Sequence, residues 1–501
     1  MSRFELPVST PESVGIPSAA IQRFLNRLEE KRLPMHSVLM QRGGKMVFEN
    51  YWKPFDKDRK HRMYSTSKSF TSAAIGILAG EGKISLDDPM IKFFPDKVPE
   101  NVHPWIAETT IRHMLKMTMP TNGTSYKWYD PDWADSVFND KPTHRPGQIF
   151  SYNTSAPDMM CNIIKRVTGQ DLTEYLRDRF FEPAGMNTDI WCIQSPCGHD
   201  WGGSGVMCTP RDLMKFALVF LNEGKLNGKQ IVPADYARDA VSKLVDNSFR
   251  ATNPEKAFGY GYQFWRHRHG WFTSGMGSQL AIAFPEQDFI CVTTADTQGY
   301  PSAALKIIES LSLEILPYLE AGSSLPEDPA AHQALLDAVS DREILCCKGE
   351  KESPLAAMVS GKTYKMYDNT MNISWMRFTF EGDEGVWEYE NDTGVHAIRF
   401  GFGHQVSGEF PDCMVSKGNP ERHYFGKTIG TPPDHGYDIC TSAGWVGDKG
   451  LLVWCHVIDD YFGSLRLNFA FEENRVTLLS VKCAEWFFNE YSDGFASGIA
   501  E

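Results

Sequence analysis

A serine hydroxyl becomes a nucleophile only when a neighbouring base takes its proton. Ser65 and Lys68, in the run Tyr64-Ser65-Thr66-Ser67-Lys68-Ser69-Phe70, have a spacing suited to that task. On a helix, side chains three residues apart share one face. A helix opening at Ser65 also presents free backbone N–H groups and the positive end of its dipole, which stabilise a developing oxyanion and favour a neutral, proton-accepting Lys68. The spacing by itself is common, and its plain alternative is a capped helix with a solvated lysine. Ser67 and Ser69 carry the same hydroxyl and stand as alternatives to Ser65 in another register.

The elements that must position these groups are legible in the pattern. Phe70, Ala73, Ala74, Ile77 and Leu78 recur at helical spacing and Gly82 follows, which predicts a helix over 65–81. Residues 37–49 read as a hairpin turning at Gly43-Gly44. Thr209-Pro210-Arg211-Asp212 has the cap, first-turn proline and acid of a helix start. Two apolar runs, 279–284 and 289–295, flank Pro285-Glu286-Gln287-Asp288 as a strand pair. Residues 322–329 have linker composition, and a short helical piece follows over 332–339. Beyond it the texture is strand-like. Leu465, Leu467, Phe469 and Phe471 alternate with Arg466, Asn468 and Ala470, and Met376, Phe378 and Phe380 alternate with Arg377 and Thr379. Trp375, Trp387, Trp445 and Trp454 add bulk, so the expectation is an antiparallel barrel or curved sheet with one buried face. The division expected is 1–321, a linker over 322–340, and a β-rich unit over 341–501.

Around the Ser65/Lys68 pair the chain resembles the serine β-lactamase-like and penicillin-binding-protein-like family, above all the class C β-lactamases and their esterase and amide-hydrolase relatives. The resemblance covers about residues 10–320 and rests on several short matches in order. These are Glu81-Gly82-Lys83-Ile84-Ser85-Leu86-Asp87-Asp88-Pro89, Thr110-Ile111-Arg112-His113-Met114-Leu115 and Pro146-Gly147-Gln148-Ile149-Phe150-Ser151-Tyr152-Asn153. Thr168-Gly169, Glu182-Pro183-Ala184-Gly185-Met186 and the stretch 203–212 continue the order. The resemblance implies an α+β fold, an antiparallel sheet flanked by helices beside an all-helical lobe, with the site between them. It makes Ser65 the nucleophile and Tyr152 the partner base beside Lys68. The polar residue of the second motif falls on Asn153 or Thr154. The third motif falls on Thr273-Ser274-Gly275-Met276, where Thr273 stands in place of the family's cation and the Met276 N–H joins the Ser65 N–H as oxyanion donor. The missing cation implies neutral esters or amides as better substrates than β-lactams or cell-wall peptides.

Other readings lose ground on the residues present. The formal charge, 50 − 64 = −14, disfavours nucleic acid and anionic membrane surfaces as partners. Eleven cysteines without a C-x-x-C read as buried thiols of a reducing, cytoplasmic setting, and neither a signal peptide nor a membrane span is expected. There is no G-x-S-x-G, and Gly361-Lys362-Thr363 and Gly426-Lys427-Thr428 lack the earlier glycine of a phosphate loop. Cys192, Cys197 and His199 lack a fourth metal ligand, while His267 and His269 are candidates to line the cleft. The expectation is a serine hydrolase that cleaves a small ester or amide through an acyl-enzyme on Ser65, with no metal or cofactor. The alternative is a non-catalytic penicillin-binding-like scaffold or sensor.

Overall fold

The computed structural model describes residues 5–127, 130–250, 254–321, 324–411, 437–459, 462–483 and 494–501. The first element pair is the hairpin β1 (Met35–Arg42) and β2 (Lys45–Tyr51), turning through Gly43 and Gly44 at φ of 57° and 71°. Four later strands complete a six-stranded antiparallel sheet: β3 (Trp265–His267), β4 (Gly270–Gly275), β5 (Gln279–Phe284) and β6 (Phe289–Ala295). Their order is β2-β1-β6-β5-β4-β3. Both faces of the central strands are buried, which explains why 279–284 and 289–295 read as continuous apolar runs.

Alternate residues of each strand serve two cores. Leu39, Ala281, Ala283, Ile290 and Val292 face the helical lobe and helix α4 (Pro210–Leu221). Val38, Met40, Leu280, Ile282 and Cys291 face α1 (Ser18–Glu30) and α5 (Ala303–Glu314). Helix α4 starts in the capping box that its sequence announced: Thr209 Oγ1 accepts from the Asp212 N–H, and Asp212 accepts from the Thr209 N–H. At the centre of the lobe lies α2 (Ser67–Gly80), packed against α3 (Ser155–Thr168). Every α2 residue from Ser67 to Leu78 is buried. Its polar side faces inward and is satisfied there. Ser69 Oγ donates to Gln263 O at 2.7 Å, Thr71 Oγ1 to Gly202 O at 3.1 Å, and Ser72 Oγ pairs with Tyr236 Oη at 2.9 Å.

Among the described residues no helix is long and apolar enough to cross a membrane. Of the stretch with linker composition, residues 322–323 lie outside the described residues. Helix α6 (Pro329–Val339) follows and packs on α1, burying Leu335 and Val339.

The C-terminal region is a closed nine-stranded barrel. Its strands are β7 (Thr363–Met366), β8 (Trp375–Glu381), β9 (Glu384–Asn391), β10 (Gly394–Phe402), β12 (Asp438–Val446), β13 (Gly450–Ile458), β14 (Phe462–Glu472), β15 (Arg475–Cys483) and β16 (Gly494–Ala500). A tenth strand, β11 (Val406–Glu409), lies outside the closure on β12. Antiparallel pairings run round the barrel, and a short parallel contact, Gly401 with Ser442 and Phe402 with Ala443, closes it. The alternating residues Leu465, Leu467, Phe469 and Phe471, with Phe378, Trp387 and Trp445, fill its interior.

The barrel is tied to the N-terminal region through Phe462. Its fully buried ring packs against His36 and His61, with ring centres 5.0 and 4.8 Å away. Its carbonyl accepts from Tyr64 Oη at 3.3 Å and from Gln298 Nε2 at 2.8 Å. Gln298 also donates to Asp296 Oδ1 at 3.1 Å, while Asp296 Oδ2 is buried without a partner.

Two outcomes follow from this seam. Phe462→Ala removes a fully buried ring and should cost about 3–5 kcal/mol, read as a lower midpoint in urea unfolding with the seam opening first. Burial holds the Asp296 carboxyl up at about 7, against an ordinary value of 3.8. Its ionisation therefore destabilises the fold, by nothing near pH 4 and in full above pH 7. Asp296→Asn should match the parent at pH 4 and exceed it above pH 7 by roughly a few kcal/mol. Parallel stability curves across pH would contradict the assignment.

Candidate active site

Ser65 does not begin the α-helix. A 3₁₀ turn, Tyr64–Thr66, precedes α2, so the helix expected from 65 starts two residues later and Ser65 projects from the tighter turn ahead of it. Tyr64 is held at φ 46°, a left-handed conformation that costs a non-glycine residue about 1–2 kcal/mol. The surroundings enforce it. The Arg62 guanidinium lies 4.3 Å from the centre of the Tyr64 ring, and Arg62 is itself anchored on Ser204 through its carbonyl and hydroxyl, each at 3.0 Å.

Lys68, one turn along, is buried and donates to Ser65 Oγ at 3.0 Å and to Gly203 O at 2.6 Å. The Tyr152 hydroxyl is hydrogen-bonded to Ser65, and its ring centre lies 5.2 Å from Lys68 Nζ. Burial pushes the Tyr152 phenol up to about 12, so it is protonated at neutral pH. The rival hydroxyls point elsewhere: Ser67 Oγ accepts from the Val206 N–H at 3.0 Å, and Ser69 is bound to Gln263 O.

Gly203 can offer its carbonyl because the loop sits hard against the helices. A Cβ on Gly202 would meet Cys161 Sγ and Thr71 Oγ1 at 2.2 Å, and one on Gly203 would meet Thr154 Cγ2 at 2.7 Å. The same constraint brings the end of β4 toward Ser65. A Cβ on Gly275 would lie 2.2 Å from Met63 O, so only glycine allows this approach, and the next residue, Met276, lines the same cleft as Ser65.

Ser65 and Tyr152 line a cleft of about 950 Å³ together with Ser274, Gly275, Met276, Trp265 and Lys256. Its far wall includes Tyr300 and the barrel residues Lys482 and Cys483. Three sequence expectations are corrected here. Thr273 does not occupy a cation's place in the cleft. Strand alternation turns it inward, where its hydroxyl accepts from Thr66 Oγ1 at 3.3 Å and from the Ala281 N–H at 3.1 Å. Neither Asn153 nor Thr154 lines the cleft. Asn153 donates to Thr121 Oγ1 at 2.8 Å and accepts from the Ser155 N–H at 2.7 Å, bracing the start of α3. His267 and His269 are also elsewhere: the first is buried with Nε2 on Ala283 O at 2.9 Å, and the second stacks on Phe284.

The residue that sequence reasoning missed is Lys256. It reaches the cleft from a 3₁₀ turn, Pro254–Lys256, with Nζ 3.1 Å from Ser274 Oγ and 4.6 Å from the Trp265 ring centre. Trp265 in turn stacks on Tyr152 at 5.4 Å. Burial lowers the Lys256 ammonium to about 8. No local pattern marks it, since its partner is eighteen residues away in the chain.

Cys192, Cys197 and His199 do not converge on a metal position. His199 spends its nitrogens on Asp158 (3.1 Å) and Ser195 (3.2 Å), and no cluster of three metal-ligating side chains occurs among the described residues. Gly426-Lys427-Thr428 lies outside the described residues.

The solved structures most like this fold include a candidate 6-aminohexanoate-dimer hydrolase from Bacillus anthracis (TM-score 0.52, 21% identity, covering 65% of this chain and 89% of that one). A penicillin-binding-protein homologue from Caulobacter crescentus is similar too (TM-score 0.51, 15% identity, 63% of this chain and all of that one). In sequence, the chain is 25% identical over 260 residues to the 6-aminohexanoate-dimer hydrolase of Paenarthrobacter ureafaciens, a match spanning 48% of this chain and 65% of the relative. The match to the Staphylococcus aureus protein flp is 28% over 175 residues, 32% of this chain and 35% of that protein. The fold thus has hydrolases among its relatives. The family model described as Beta-lactamase matches residues 20–311, more than half of the sequence, and the chain belongs to that family.

Proposed function

We propose that the protein is a serine hydrolase that cleaves a small ester or amide through an acyl-enzyme on Ser65. The observation that carries this reading is the contact of Ser65 Oγ with both Lys68 Nζ, at 3.0 Å, and the Tyr152 hydroxyl, on the wall of an open cleft. A hydroxyl touching two proton-transfer groups, beside a glycine-enforced strand end, has the parts that acyl transfer needs.

The chemistry follows from the protonation states. Tyr152, protonated at rest, holds a proton it can give to a leaving group. Lys68 in its neutral form accepts the Ser65 proton while Oγ bonds to the substrate carbonyl carbon. The carbonyl oxygen, now negative, is met by the backbone N–H groups of Ser65 and Met276. The bond to the leaving group breaks as Tyr152 delivers a proton to it, and the Lys68 proton restores the phenol. Water then adds to the acyl-enzyme by the reverse transfers, releasing the acid and free Ser65.

A fluorophosphonate probe should add one adduct to the intact mass, and Ser65→Ala should abolish both the adduct and ester hydrolysis. An unlabelled, inactive parent would favour the scaffold reading, and an adduct surviving in Ser65→Ala would move the nucleophile. Lys68→Ala and Tyr152→Phe should each lower kcat by about 10²-fold or more, and the double variant should be little worse than either single one. Full activity in Tyr152→Phe would remove it from the mechanism. Gly275→Ala puts a Cβ against the Met63 carbonyl and forces the strand end away, so it should cut kcat about 10²-fold, as loss of one oxyanion donor does, and lower the melting temperature as well.

A further inference from the structure

Among the described residues, the lining of the cleft has a charge character opposite to that of the chain. The protein carries a net −14, yet none of the described residues lining the cleft is acidic, and two of them are lysines. The environment of Lys256 is the more telling. Its ammonium is enclosed by the Trp265 ring and the Ser274 hydroxyl, and no carboxylate pairs with it among the described residues. Burying an ammonium without a counter-charge costs free energy, and buried charges in proteins are ordinarily paired. Lys256 is half-buried on the cleft wall, so an anion entering the cleft can supply the missing counter-charge.

We propose that Lys256, together with Ser274, binds a carboxylate of the substrate, so that the cleft selects esters or amides carrying an acid group. This rests on the acyl-transfer reading of Ser65. Ser274 lies near the end of β4 and Met276 two residues on, in the turn just after it, so their backbones are at most about 7 Å apart. The carboxylate therefore sits a few bonds from the carbonyl under attack, as in a half-ester or half-amide of a short diacid. An ammonium with a hydroxyl beside it gives a charge-assisted site, stronger than a hydroxyl alone. The neutral-substrate preference inferred from Thr273 is thereby reversed.

The test compares three 4-nitrophenyl or closely matched aryl esters: neutral butyrate, glutarate half-ester with the acid on the acyl side, and an acyloxybenzoate with the acid on the leaving side. At least one acid-bearing ester should exceed the neutral one in kcat/KM by about tenfold, mainly through KM. Lys256→Gln should collapse that ratio toward one, Lys256→Arg should keep most of it, and in the parent the ratio should fall above pH 8 as the ammonium deprotonates. Calorimetric titration of glutarate monoamide into Ser65→Ala, with and without Lys256→Gln, reads the same preference without turnover. A ratio at or below one for both acid-bearing esters, or a ratio and glutarate-monoamide affinity unmoved by Lys256→Gln, overturns the proposal. Absence of Ser65-dependent hydrolysis with Lys256-dependent binding intact would instead overturn the acyl-transfer reading alone.

Discussion

A buried lysine amine is the constraint around which this site is built. Lys68 is 1% exposed, and several kcal/mol would be lost if it entered the interior without partners. It is tolerated because two oxygens are waiting, Ser65 Oγ and Gly203 O. Each of those oxygens needs its own scaffolding. Gly203 reaches in only because Gly202 and Gly203 lack side chains where α2 and α3 leave no space for them. Ser65 reaches in only because the chain turns tightly through a strained Tyr64 before the α-helix begins. The helix behind them, buried on all sides, has no freedom to shift and relieve either contact.

That scaffolding extends into the barrel. Tyr64 is held on one side by Arg62 and on the other by a hydrogen bond to the Phe462 carbonyl, which belongs to the second region of the chain. The same carbonyl holds Gln298, a residue of the cleft wall. A fold in which the strained residue before Ser65 is clamped by a neighbouring unit couples the seam to the site. The barrel also closes the cleft's far side through Lys482 and Cys483, so it shapes the space open to substrate as well as steadying the turn.

What the sequence disclosed divides along physical lines. The hairpin at Gly43-Gly44, the Thr209 capping box and the strand pair 279–284 with 289–295 were legible because each is fixed by contacts only a few residues apart. The barrel's alternating strands showed for the same reason, whereas its closure, through two residue pairs some forty positions apart, left no local trace. The Ser65, Lys68 and Tyr152 side chains were readable as a set by resemblance, and the structure brings them into contact. The Gly203 carbonyl was not, because a backbone acceptor has no residue type to betray it. Asn153 was misplaced because a polar residue next to a helix start also serves local backbone bonding, and here its Oδ1 accepts from the Ser155 N–H.

The third motif shows why position in a pattern differs from position in space. Alignment sets Thr273 where a cation is expected, but successive residues of a strand face opposite sides, and the side that meets the cleft belongs to Ser274. A charge needed on that side can come from any element passing nearby. Here it comes from the turn ahead of β3, whose Lys256 covers Trp265 and meets the Ser274 hydroxyl. The motif position carries no cation, while a cation stands on a neighbouring loop at the same cleft. Such exchanges cost little, because the field at a ligand depends on where a charge sits and not on which segment carries it. A substrate preference argued from the motif alone therefore has the wrong sign whenever the fold restores the charge from elsewhere.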